Sequence, residues 1–181
     1  MDGLITIDPH LHRAHALSEI YSIPCHALQA APLLAAWIQT HINTPLLIGP
    51  DSESAQWVAA VAATANLPCV VLEKTRYGDH EVRVSVPQVQ RWLAHTPVLI
   101  DDIISTGRTM IETIAHLKHA GLPAPVCVGV HAVMAGNAHA DLLAAGAADV
   151  VTCNTITHAA NRIDVTRLIA DAVRALGTVS R

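Results

Sequence analysis

Two adjacent carboxylates and a run of hydroxyl residues lie together in segment 98–109, which reads VLIDDIISTGRT. An apolar stretch ends at Asp101 and Asp102, and a short turn containing Gly107 leads into a predicted helix. Successive backbone N–H groups at such a turn form a nest for an anion, and glycine lets the main chain approach that anion closely. Carboxylates repel a phosphate and are suited instead to sugar hydroxyls or to Mg²⁺. The segment therefore predicts a ribose 5-phosphate site.

The candidate residues of this site are Asp101, Asp102, Ser105, Thr106, Gly107, Arg108 and Thr109. An ordinary strand–turn–helix with a capped helix would account for any one of them taken alone. It accounts poorly for the whole segment, because two carboxylates at the end of a buried strand lose hydration without compensation. The segment is not a Walker loop, because the GxxxxGK[ST] spacing is absent.

The elements that must position this segment alternate between short apolar runs and helical patterns. The runs are continuous and rich in Val, Ile and Leu, as in strands buried on both faces, so an α/β fold with a mostly parallel sheet between helices is predicted. Residues 81–86 alternate strictly and follow a polar stretch, which indicates a flap or hairpin around residues 74–88 outside that sheet. The predicted strands are 4–7, 45–49, 68–72, 97–100, 125–130 and 149–152, and the predicted helices are 30–41, 54–65, 106–120, 137–145 and 164–176.

Composition limits the classes of function. The chain has 181 residues, 51% of them hydrophobic, and a net charge of −4, which predicts one folded domain, excludes disorder and disfavours a nucleic-acid binder. Apolar stretches are too short to cross a membrane and no signal peptide is recognisable, so a cytoplasmic protein is expected. Cys69, Cys127 and Cys153 lie in apolar runs and are expected to be buried, reduced thiols.

Further motifs resemble those of one family. Segment 98–109 is similar to the phosphoribosyl-pyrophosphate (PRPP) loop shared by type I phosphoribosyltransferases and PRPP synthetases. Residues 5–10 (ITIDPH) resemble the strand-end Asp-x-His of the ribose-phosphate diphosphokinases, which are the PRPP synthetases. Residues 49–51 (GPD) resemble their Pro-Asp turn, and residues 72–76 (LEKTR) resemble their Lys-x-Arg flap. The resemblance runs in order along nearly the whole chain and implies a type I phosphoribosyltransferase-like fold.

The resemblance also implies an activity and the roles of individual residues. His10 and Asp51 fall on positions that bind Mg²⁺, and Asp8 is expected to support His10 without contacting the ion itself. Lys74 and Arg76 fall on catalytic flap positions. The implied reaction transfers pyrophosphate from Mg-ATP to the 1-hydroxyl of ribose 5-phosphate, giving PRPP and AMP. A homo-oligomer without nucleic-acid or membrane partners is implied as well.

Two departures keep alternatives open. Ser52, Glu53 and Ser54 stand where many family members have a small, Gly-rich turn, and the first of the two usual α/β domains has no counterpart in the chain. One alternative is a phosphoribosyltransferase that consumes PRPP, against which the Asp8–His10 and Lys74–Arg76 motifs argue. The other is a truncated, non-catalytic subunit that binds PRPP or ribose phosphate.

Overall fold

Six parallel strands form the central sheet of the computed structural model. The structure describes residues 3–11, 14, 16–51, 54–77, 81–85 and 89–179, of which 73–77, 81–85, 89 and 177–179 are described by their backbone alone. In order across the sheet, the strands are β10 (Asn161–Ile163), β9 (Asp149–Cys153), β8 (Val126–His131), β7 (Thr96–Ile103), β3 (Pro45–Gly49) and β4 (Cys69–Val71).

Helices cover both faces of this sheet. Alternate strand residues point to opposite faces, so Leu47 and Val98 pack in a core with α1 and α2, while Leu46 and Leu99 pack in a second core with α3 and α4. The predicted three-layer α/β fold is therefore confirmed. No helix among the described residues is long and apolar enough to cross a membrane. The helices are α1 (Ala31–His41), α2 (Ala55–Ala65), α3 (Arg108–His119), α4 (Ala138–Ala145) and α5 (Thr166–Val179).

Five strands refine the prediction. Strand β1 (Leu4–Ile7) does not join the central sheet but pairs in parallel with β2 (Cys25–Leu28), which the sequence did not reveal. The short β10 was also missed. The predicted hairpin is confirmed as the antiparallel pair β5 (Glu73–Tyr77) and β6 (Glu81–Ser85), while 78–80 and 86–88 lie outside the described residues.

The prediction that Cys69 is buried was wrong. This residue opens β4, the edge strand of the sheet, so its side chain is exposed. Cys127 and Cys153 are buried as expected, and burial raises the pKa of each thiol to about 12. These two cysteines are therefore inert core residues at neutral pH.

Gly129 allows β8 to pack closely against the chain that follows β7. A Cβ atom at this position would lie 2.7 Å from Cγ1 and 2.8 Å from Cδ1 of Ile104, whose side chain is almost completely buried. We expect Gly129→Ala to reduce the free energy of unfolding by about 1–3 kcal/mol, because the added methyl overpacks the core. Thermal denaturation measures this loss.

Gly3→Ala is the matched control, because its Cβ would meet only the carbonyl oxygen of Pro24 at 3.4 Å. Ile104→Ala should relieve the overlap, so the double variant should lose less stability than the two single variants combined. Strictly additive losses would contradict the proposed contact.

Candidate functional site

Parallel strands bring their carboxyl ends to one edge of the sheet, which is where ligands bind in open α/β sheets. Strand β3 leads into Asp51 at this edge, β7 carries Asp101 and Asp102 near its carboxyl end, and β8 ends at His131. Strand β1 ends immediately before Asp8 and adds His10 to the same region. His10, Asp51 and the carboxylates of β7 are therefore brought together from distant parts of the sequence.

The turn between β7 and α3 has the open geometry expected of an anion site. Gly107 adopts φ +68°, and no side chain caps the helix that begins at Arg108. The N–H groups in the first turn of an α-helix have no intrahelical acceptors, and Gly107, the N-cap residue of α3, has no side chain to offer them. A cavity of about 110 Å³ lies over this turn. Its lining includes all the predicted loop residues together with one of the carboxylates: Asp101, Ser105, Thr106, Gly107, Arg108 and Thr109.

Backbone hydrogen bonds to the chain at the end of β8 hold this turn in place. Ile104 N–H donates to His131 O at 3.0 Å, while Met134 N–H donates to Ile104 O at 2.9 Å. Ala135 N–H donates to Ser105 O at 3.1 Å. The segment 131–135 thus fixes the course of the phosphate loop, defined here as residues 104–109. Sequence reasoning did not assign this supporting role to it.

Next to this cavity lies a larger one of about 480 Å³. The two share Asp101, Ile103, Ser105 and Thr109 in their linings. The larger one adds His10, Asp51 and Asp102, as the sequence predicts, together with Ser54 and Trp57, which the prediction omitted. Ser54 and Trp57 are three residues apart and so share a face at the start of α2, a spacing that could have revealed them.

The two adjacent carboxylates face different sides of the sheet. Asp101 follows Leu99 toward the α3 face and lines the phosphate-loop cavity, whereas Asp102 follows Ile100 toward the opposite face. There the Asp102 Oδ2 atom lies 2.5 Å from Nδ1 of His10, which is 92 residues away in sequence. Consecutive residues of β7 therefore connect the phosphate loop to the turn that carries His10.

Asp51 is fixed by the turn that precedes α2. Its Oδ1 accepts a hydrogen bond from Ser54 N–H at 3.1 Å, and the Ser54 hydroxyl donates to Asp51 O at 2.7 Å. Ser54 is buried, and these two hydrogen bonds hold it against Asp51. Ser52 and Glu53, which depart from the family pattern, lie outside the described residues.

Negative charge accumulates in the larger cavity. Burial, followed by the charge of Asp102, raises the pKa of Asp101 to about 7, and the charge of Asp51 acts in the same direction. A bound cation would offset this repulsion. Among the described residues, no three His, Cys, Asp or Glu side chains converge on one metal position. Carboxylate oxygens such as those of Asp51 and Asp102 suit a hard cation like Mg²⁺, which binds through few protein ligands and completes its shell with water and substrate phosphates.

The sequence also predicts roles for Asp8, Lys74 and Arg76. The Asp8 carboxylate accepts a hydrogen bond from Ala30 N–H at 2.7 Å, at the start of α1, and so anchors the turn that leads to His10. Lys74 and Arg76 are alternate residues of β5 and so share one face of the hairpin, whose strand β6 lies against α3. Their side chains lie outside the described residues.

Comparison with known proteins now identifies the family. The family model of the phosphoribosyl transferase domain matches residues 16–168. The chain belongs to this family. Its fold is similar to phosphoribosylpyrophosphate synthetase from Mycobacterium smegmatis, with a TM-score of 0.81 and 23% identity over 99% of this chain and 60% of that one. A more distant likeness is to orotate phosphoribosyltransferase from Aeropyrum pernix, with a TM-score of 0.50 and 16% identity over 78% of this chain and 75% of that one.

Curated relatives confirm the resemblance to ribose-phosphate diphosphokinases. The ribose-phosphate pyrophosphokinase of Methanothermobacter thermautotrophicus is 30% identical over 175 residues, covering 96% of this chain and 59% of the relative. The ribose-phosphate pyrophosphokinase of Methanosarcina acetivorans is 33% identical over 165 residues, which cover 90% of this chain and 58% of the relative. The chain thus spans just under three fifths of the length of these two relatives.

The raised pKa of Asp101 predicts a pH dependence of stability. Between the unfolded value of 3.8 and the folded value of about 7, the folded state binds more protons than the unfolded state. Stability should therefore fall as pH rises through this window. Asp101→Asn removes the titrating group, so its melting temperature should fall less between pH 4 and pH 7 than that of the wild type. Calorimetry without ligands measures both curves.

Asp149→Asn is the control, because Asp149 is an exposed residue at the opposite end of its strand from the site. Parallel melting curves for wild type and Asp101→Asn would contradict the electrostatic repulsion inferred at this site.

Proposed function

We propose that this phosphoribosyl transferase domain binds ribose 5-phosphate and Mg-ATP and carries out pyrophosphoryl transfer to give PRPP and AMP. The observation that supports this most strongly is the direct junction of an open anion-binding turn with a cavity lined by carboxylates. The turn suits a phosphate, and the cavity suits sugar hydroxyls and a cation. The names of the curated relatives point to the same reaction.

In this proposal, the phosphate loop holds the 5-phosphate of the sugar. The N–H groups of the first turn of α3 and the hydroxyls of Ser105, Thr106 and Thr109 donate hydrogen bonds to it. Asp101 lines both cavities and accepts hydrogen bonds from ribose hydroxyls, helped by Asp102. The sugar would then extend from the loop into the larger cavity.

His10 and Asp51 would hold Mg²⁺ in the larger cavity. When bound, the ion neutralises negative charge on the phosphates of the nucleotide. The 1-hydroxyl oxygen of the sugar attacks the β-phosphorus, the bond from that phosphorus to the α–β bridging oxygen breaks, and AMP departs. The hydroxyl proton is lost in the same process. Lys74 and Arg76 meet the charge that spreads over the transferring oxygens, where positioning and electrostatics dominate the catalysis.

Two other functions share part of this support. The matched family and the likeness to orotate phosphoribosyltransferase favour a PRPP-consuming transferase as the second candidate. A non-catalytic ribose-phosphate-binding subunit would require the same loop without transfer. Release of AMP from ATP and ribose 5-phosphate supports the proposed reaction. Binding of ribose 5-phosphate without AMP release supports the non-catalytic subunit. Consumption of PRPP in the presence of a nucleobase supports the phosphoribosyltransferase.

Binding of ribose 5-phosphate should depend on the Thr109 hydroxyl. Thr109→Val removes a donor to a charged group while keeping the side chain's shape, so affinity should fall by about 10–100-fold. Gly107→Val should abolish binding, because a β-branched residue is strained at φ +68° and its Cβ would lie 3.2 Å from Leu142. Titration calorimetry with Mg²⁺ present measures both.

Thr109→Ser is the matched control, since it keeps the hydroxyl and should retain most of the affinity. Equal affinities for wild type and Thr109→Val would refute the assignment of the phosphate loop.

Catalysis should depend on Lys74 more than binding does. Lys74→Ala should lower kcat by about 10²–10³, because the ammonium is proposed to meet charge that develops only during transfer. KM for ribose 5-phosphate should change much less, since the sugar phosphate is held elsewhere. Steady-state AMP release measures both constants.

Thr75→Ala is the control, because Thr75 lies between Lys74 and Arg76 on the other face of the hairpin. Near-normal turnover in Lys74→Ala would show that the hairpin takes no part in transfer.

A further inference from the structure

His131 connects two parts of the candidate site. It is the last residue of β8 and is partly buried, and its ring is held between two other segments. Nε2 lies 3.2 Å from the carbonyl oxygen of Asp8, and Nδ1 lies 3.0 Å from the hydroxyl oxygen of Thr155. The roles derived above for the site do not use this side chain.

The Thr155 hydroxyl sets the orientation of the ring. Its oxygen lies 3.0 Å from Nδ1 of His131 and 3.0 Å from Val130 O, and its single hydrogen can go to either acceptor. Asp8 O can only accept, and a neutral imidazole that donates to it from Nε2 has no hydrogen on Nδ1, which then accepts from the Thr155 hydroxyl. Thr155 and His131 thus form a chain of hydrogen bonds from β8 to the end of β1.

Asp8 needs such contacts because its backbone is strained. It adopts φ +36°, in the left-handed region that non-glycine residues rarely occupy. Its N–H donates to Leu28 O at 2.9 Å and its carboxylate accepts from Ala30 N–H, which ties it to β2 and α1. The bond to His131 ties it to the central sheet. His10, the proposed metal ligand, follows two residues later.

The main chain of His131 reaches the other part of the site. Its carbonyl oxygen accepts the hydrogen bond from Ile104 N–H at the start of the phosphate loop. The ring therefore contacts the turn that carries His10, while the backbone contacts the phosphate loop. Only the first of these contacts depends on the identity of the side chain.

We propose that His131, oriented by Thr155, is a positioning residue that fixes the turn of residues 8–10 and thereby sets the divalent-cation affinity of the site. This inference rests on the proposed function, in which His10 is a metal ligand. Because the phosphate loop is held by the backbone of residue 131, replacing the side chain should weaken cation binding and leave sugar-phosphate binding intact. That selectivity separates positioning from a general loss of stability.

The test compares His131→Phe, which keeps a planar ring without N–H groups, with Thr155→Val, which removes the hydroxyl. Mn²⁺ binding to the chain without substrate is measured by electron paramagnetic resonance, and ribose 5-phosphate binding by calorimetry without cation. We expect Mn²⁺ affinity to fall by about 10-fold in His131→Phe, as for other groups that orient a metal ligand, and to fall less in Thr155→Val. Affinity for ribose 5-phosphate should stay unchanged in both.

Hydrogen exchange provides a readout that needs no ligand. In His131→Phe, the amides of Asp8, His10 and Leu11 should exchange faster, while those of β7 should keep their wild-type rates. Thr155→Ser, which keeps the hydroxyl, and His139→Phe, whose ring contacts His158 instead, should match the wild type in every measurement.

Three results would overturn the inference: unchanged Mn²⁺ affinity in His131→Phe, equal weakening of both ligands, or faster exchange throughout the chain. If the wild type binds neither ligand, the proposed function fails. The exchange experiment then still decides whether His131 fixes residues 8–10.

Discussion

The site depends on the register in which the parallel strands β3, β7 and β8 are hydrogen-bonded. Leu47 pairs with Val98 and Ile100 pairs with Val128, which places the carboxyl ends of all three strands at the same level. A shift of one residue would exchange the faces of every side chain on β7. Leu99 and Ile100 would then leave their cores, and Asp101 would turn away from the phosphate loop. The apolar packing of the sheet therefore determines the placement of the polar residues beyond it.

The same register gives the two carboxylates separate environments. Asp101 lies on the side of α3, where the open N-terminus of the helix favours an anion, and burial and neighbouring carboxylates favour its protonated form. Asp102 lies on the side of β1, in contact with His10. In the proposed function, an anionic ligand at the loop would lie close to two carboxylates. A divalent cation between the charges would offset part of their repulsion.

The parts that sequence predicted well are those with strong local signals. Continuous apolar runs marked six strands, and the segment 98–109 indicated the turn between β7 and α3, because its residues are neighbours in the chain. Strands β2 (CHAL) and β10 (NRI) contain polar residues and so form no continuous apolar run. Cys69 was misassigned because position on a sheet edge is a property of strand order, which a local apolar run does not encode. The contact of His131 with Asp8 joins residues 123 positions apart, so no local pattern could have indicated it.

The two halves of the site are held by different kinds of interaction. Main-chain hydrogen bonds from residues 131–135 support the phosphate loop, and such bonds persist when side chains are replaced. Side chains, namely those of His131, Asp8 and Thr155, support the turn that carries His10. If the proposed function holds, replacements on the β1 side would leave the sugar-phosphate half of the site in place. The chemistry at the sugar would then depend on the second half, which comprises an imidazole, a carboxylate and a neighbouring hairpin.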